Sequence, residues 1–172
     1  SSDGGTGCGT DTEGPDRVFS LSVPPGQRGV LTVTPTAEYD PVLDVVAGAQ
    51  AMCSAQPRVC ASSSDVNPAG GNERFSLVNA GTTPREFFAV VDGSHLWAPG
   101  NFNVSYSTAV PPADDTCTTA TSVLANGTTF THSLAGFFSD YGAERQGLGW
   151  CWGYAGGDRA YRVNLPANTQ LD

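Results

Sequence analysis

The chain contains no lysine. All eight basic residues are arginines, set against seventeen acidic side chains, for a net charge of −9 and a pI near 4.4. A nucleic-acid binder needs a basic footprint, and none is present. The same deficit argues against an anionic membrane surface. No apolar run approaches the ~18 residues that a bilayer span requires. No C-x2-C pair occurs, which argues against a zinc ribbon. No stretch has capped helical periodicity. No G-x-S-x-G elbow supports a triad around His95 or His132, and nothing points to paired glycosidase carboxylates, so no enzyme class has a residue in its favour. The first residues, SSDGGTGC, lack a charged n-region and an apolar h-region, which reads as a mature or excised segment.

What is present points to strands. At 172 residues the chain has room for one domain, or one plus part of another. Gly 21, Pro 12 and abundant Ser/Thr imply frequent turns, and the aromatics argue against disorder. Period-2 alternation recurs in VFSLSV (18–23), GVLTVTP (29–35), RFSLVNAG (74–81) and NFNVSYS (101–107). PVLDVVAG (41–48) is a short apolar run, and REFFAVVDG (85–93) reads as a strand buried on both faces. Turn clusters such as PPGQRG and NPAGGN separate them. Six short strands at regular spacing predict an antiparallel sandwich.

The chain also repeats itself. GPDRVFSLSVPPG (14–26) returns as GGDRAYRVNLPAN (156–168). Phe19, Leu21 and Val23 recur as Tyr161, Val163 and Leu165. The expected organisation is a sandwich unit over 1–107, a Pro/Asp linker over 108–116 and a partial second repeat over 117–172. Two strands are expected in the second repeat, 127–135 with Phe130, His132 and Leu134 alternating, and 158–165. The linker pair Asp114 and Asp115 reads as solvated.

Five cysteines in a Ser/Thr-rich chain suggest an oxidising compartment. Cys53 and Cys60, with six residues between them, look like a local disulfide loop. Five is odd, which calls for a free thiol or an intermolecular bond; four cysteines drawn from five leave fifteen pairings.

The order of elements is Cys, a Thr-rich leading strand, Cys, then G-x-D-R-x-[FY]-x-[VL]-x-[VL]-P, DPVLDVV, a Cys pair, REFFAVVDG and GNFNVSYS. This resembles the bacterial pre-peptidase C-terminal (PPC-like) β-sandwich repeats of secreted proteins. The resemblance implies a jelly-roll-like, extracellular, disulfide-bonded fold, often in tandem beside enzymes and usually without catalysis of its own. It implies a Cys117–Cys151 disulfide and leaves Cys8, the counterpart of Cys151, without a partner in the first unit. That unit would then lack its leading strand.

Such a gap exposes unpaired backbone groups, each costing roughly 1–3 kcal/mol if buried. The expected groove is lined by Phe19, Leu21, Val23, Phe87 and Val90. It is filled by the second repeat in cis, by the second repeat of another copy in trans, or by a longer tandem array. The favoured reading is the trans one, in which Phe130, Leu134, Tyr161, Val163 and Leu165 of the donor strands enter the groove of the next copy. Repeated head-to-tail, this builds an extracellular filament or surface fibre, with Cys8 bonding covalently to the neighbour. The alternative is a non-catalytic binding module, for glycan or calcium, appended to a secreted bacterial enzyme.

Other sites have plainer readings. Asp11, Glu13 and Asp16 offer carboxylates to calcium but lack EF-hand spacing, and a solvated acidic turn explains them. No other cofactor or metal is expected. Trp97, Trp150 and Trp152 could stack on sugar rings, but packing against a disulfide is the simpler role. Asn103 (NVS) and Asn126 (NGT) match the N-glycosylation sequon.

Overall fold

The computed structural model describes residues 15–36, 38–50, 52, 60–94, 100–121, 123–124, 127, 129–138 and 156–170. The chain divides into two compact units between Val110 and Pro111.

Unit 1 is the expected all-β sandwich. Seven strands, β1 (Arg17–Val23), β2 (Arg28–Pro35), β3 (Pro41–Ala47), β4 (Cys60–Ser64), β5 (Glu73–Val78), β6 (Arg85–Gly93) and β7 (Phe102–Ala109), form two sheets. Their orders are β1-β6-β3-β4 and β5-β2-β7, with every pairing antiparallel. β1 runs beside β6 from Arg17 opposite Val91 to Val23 opposite Arg85. Pro24 ends it by removing a ladder donor. The chain then crosses to the other sheet through a turn that needs Gly26 at φ +68°.

Period 2 places Leu21, Val23, Leu31, Val33, Leu43, Val45, Phe75, Phe87, Ala89 and Val91 between the sheets. Each large side chain removed from water there contributes about 1.5–3 kcal/mol. β3 and β6 are buried on both faces, as the apolar run in REFFAVVDG predicts: Val42, Val46 and Val90 lie outside the inner core yet are fully enclosed.

β4 was not expected. CASSS has no apolar alternation, and it is a strand because β3 offers it a ladder at Leu43–Val46. The buried Glu73 carboxylate, at the start of β5, ties this side of the sandwich shut. It accepts from the Ser64 hydroxyl, from the Asn67 amide at 2.9 Å and from the Val66 amide at 3.3 Å. One end of the sandwich is pinned by buried Asn79. Its Nδ2 donates to the carbonyls of Val23 and Thr83, both at 2.8 Å, and its Oδ1 accepts from the Gly81 amide at 3.0 Å.

On the opposite side, β1 and β7 are neighbours across the two sheets. Phe19 and Phe102 meet edge to face at 6.4 Å, and the Tyr106 hydroxyl donates to the Ser22 carbonyl at 2.8 Å. Residue 19 beside 102 and residue 22 beside 106 mean that the two strands run in the same direction.

Unit 2 contains β8 (Val123–Leu124) and β9 (Arg162–Val163), paired in parallel. The expected strand 127–135 is not one. Its described residues pair with no ladder and reach a turn at Ala135–Gly136. Alternation there serves ring stacking, with Phe130 on His132 at 5.8 Å. Within 158–165 only Arg162–Val163 is strand.

Candidate functional site

Two open strand edges lie together on the β1/β7 side. Among the described residues, β1 pairs only with β6, and β7 only with β2. Between Arg17 and Pro24 β1 carries no charge, and β7, FNVSYSTA, carries none at all. Sheet edges are ordinarily blunted by lysine, inward charges, proline or bulges. The ladders of β1 and β7 are continuous, whereas the one register shift falls in the β3–β4 pair. Phe102 and Val104 are only partly covered and pack against the core margin.

The acceptor groove expected from the sequence is not an open feature. Leu21, Val23 and Phe87 are sealed between the sheets, Val90 is enclosed on the outer face of β6, and Phe19 is half-buried at the margin. The two sheets cover Leu21, Val23 and Phe87 themselves, so an incoming strand would meet the backbone edge of β1 rather than an apolar trough.

The donor residues are placed differently. Phe130, Leu134, Tyr161, Val163 and Leu165 are all exposed. Tyr161, Val163 and Leu165 have the same spacing as Phe19, Leu21 and Val23 but no second sheet over them among the described residues.

The described residues of unit 2 are joined by a polar knot. Asp114 and Asp115 are buried, at 2% and 0% exposure, not solvated. Asp114 holds φ +66°, in the left-handed region. Its Oδ1 accepts from the Thr121 amide at 2.7 Å and from the Thr121 hydroxyl at 3.1 Å; its Oδ2 takes Arg159 at 2.8 Å. The Ala160 amide donates to the Asp114 carbonyl at 2.7 Å. Asp115 accepts from the Phe138 amide at 3.4 Å. The Arg159 guanidinium lies over Phe137 at 5.3 Å and Tyr161 at 5.7 Å. The Asp-Arg recurrence therefore marks an ion pair, although the carboxylate comes from Asp114 and not from the adjacent Asp158.

Beside the knot, Val123, Leu124, Phe130, His132 and Tyr161 line a cleft of about 160 Å³. His132 stacks on Phe130 and meets Tyr161 at 5.6 Å. Such a surface suits a flat apolar face, including the C–H face of a sugar ring.

Cys60 is disulfide-bonded; Cys53 lies outside the described residues. So do Cys8, Cys151, Asn126, His95, Trp97, Trp150, Trp152, Asp11 and Glu13. Cys117 is exposed. Asn103 is exposed on the solvent side of β7. Among the described residues no three or more His, Cys, Asp or Glu side chains are grouped to hold a metal ion, and no helix is long and apolar enough to cross a membrane.

Compared with protein-family models, curated proteins and solved structures, the chain matches none.

Proposed function

We propose that the chain is a non-catalytic, extracellular structural subunit of the PPC-like, jelly-roll kind. It assembles head-to-tail into a filament or surface fibre by β-strand addition between copies. The observation that carries this reading is the pair of adjacent edges on β1 and β7, which beyond Arg17 carry no charge. Main-chain groups at such an edge give affinity to any extended partner. Unit 2 supplies suitable partners, since Phe130 and Leu134, and Tyr161, Val163 and Leu165, present exposed apolar side chains at strand-like spacing. The oxidised Cys60 supports a disulfide-permissive, secreted setting. Cys8 then makes the covalent joint to the neighbour, while Cys53–Cys60 closes within a subunit.

The test is negative-stain electron microscopy of the purified chain beside a non-reducing gel. Filaments with covalent ladders that vanish in Cys8→Ser support the reading. A uniform monomer at high concentration, with Cys8 reactive to thiol reagents, overturns it.

The aromatic cleft of unit 2 favours a second reading, a glycan-binding module attached to a secreted enzyme. It predicts a monomer whose Tyr161 and Phe130 are required for retention on polysaccharide.

A further inference from the structure

The internal repeat, read on the structure, identifies what the open edge of β1 accepts. Arg17–Val23 align with Arg159–Leu165, so Ser20 and Leu21 are the counterparts of Arg162 and Val163. In unit 2, Arg159 grips the Asp114 carboxylate at 2.8 Å. Further along the Asp114 segment, Val123–Leu124 pairs in parallel with Arg162–Val163. Unit 1 has the acceptor half of this arrangement. Arg17 is exposed and has no ion-pair partner among the described residues, and β6 occupies one edge of β1 only.

We propose that Arg17 and the free edge of β1 are a docking site for residues 111–124 of a second copy of this chain. The docked segment sets its Asp114 carboxylate on Arg17 and lays its Val123–Leu124 strand parallel to Ser20–Leu21. The proposal rests on the assembly reading and assigns the β1 edge to 111–124, in place of the Phe130–Leu134 and Tyr161–Leu165 segments.

Charge favours the match. Arg17 is the only cation on β1 in a chain of net charge −9, and the 111–124 segment carries Asp114 and Asp115 with no basic residue. The segment exchanges one Asp–Arg pair and one parallel ladder for equivalents, the low-cost logic of swapping identical elements. The exchange also gains order. β1 is held along its whole length by β6 and backed by a core, whereas Tyr161, Val163 and Leu165 of unit 2 are exposed. Docking on a pre-ordered strand leaves less conformational entropy to be lost.

The test titrates a labelled peptide of residues 111–124, with Cys117→Ser, into the full chain and reads fluorescence anisotropy. Saturable binding is expected, weakened roughly tenfold or more by Arg17→Glu in the chain or Asp114→Arg in the peptide, and regained when both are present. Binding that is absent, that ignores Arg17→Glu, or that is lost with Arg159→Met instead overturns the proposal. Filaments that persist in Arg17→Glu also overturn it while leaving the assembly reading standing. Arg17-dependent peptide binding by a chain that stays monomeric supports the docking site and overturns the assembly reading.

Discussion

The Tyr106 hydroxyl donates to the Ser22 carbonyl at 2.8 Å, joining the edge strands of two different sheets. Removing it in Tyr106→Phe keeps the ring and leaves the Ser22 carbonyl without that donor. The expected loss is about 1 kcal/mol, read as a lower urea midpoint with an unchanged m-value. An unchanged midpoint would mean that water replaces the phenol without cost.

Gly29 makes that contact sterically feasible. A Cβ at this position would lie 2.6 Å from Val23 Cγ2 and 3.1 Å from the Tyr106 hydroxyl. Gly29→Ala is expected to destabilise by about 1–3 kcal/mol through overpacking. In the Tyr106→Phe background the penalty should shrink, because the crowding oxygen is gone. A double-mutant cycle measures that coupling.

Two tyrosines should set an alkaline limit. Burial, and then the charges of Asp92 and Asp40, raise the Tyr39 pKa above 10.0; burial, and then Glu86, raise that of Tyr106. A folded-state pKa above the unfolded one gives stability that is complete below the unfolded value and is lost as pH rises through the folded value. Thermal stability should therefore fall above pH 10. Absorbance titration near 295 nm should show Tyr39 and Tyr106 ionising above pH 10, as a high-pH component that is reduced in Tyr39→Phe and in Tyr106→Phe; a high-pH limb unchanged by either substitution would contradict this.

The Arg159–Asp114 pair should govern unit 2 separately from the sandwich. Arg159→Met leaves a buried carboxylate without its counter-charge, for which a cost of about 3–5 kcal/mol is usual. Hydrogen exchange is expected to accelerate in peptides covering 111–124 and 156–165, with β2, β3 and β6 unaffected. Uniform acceleration along the chain would show that the knot supports more than its own unit.

The alternation of Phe19, Leu21 and Val23, and of Leu31 and Val33, made those strands legible, because one buried face imposes period 2. β6 was legible for the opposite reason: its unbroken apolar run answers to burial on both faces. β4 was not, since Ser62, Ser63 and Ser64 carry no pattern and become a strand only beside β3. Phe130, His132 and Leu134 alternate equally well, yet no ladder forms there. Alternation records spacing, not the presence of a partner. Asp114 reads as solvated in the sequence because the groups that hold its carboxylate, on Thr121 and Arg159, are distant or unremarkable in sequence. The one available signal was the second Asp-Arg pair, which pointed to an ion pair but not to its carboxylate.

The parallel course of β1 and β7 has a mechanical meaning. Phe19 lies beside Phe102 and Ser22 beside Tyr106, so β1 and β7, the first and last strands of unit 1 among the described residues, start at the same end of the sandwich. Arg17 and Ala109 therefore stand at opposite ends. Tension applied along the chain pulls β1 past β6 and β7 past β2 lengthwise, loading the ladders from Arg17 to Val23 and from Phe102 to Ala109 in shear rather than unzipping them one bond at a time.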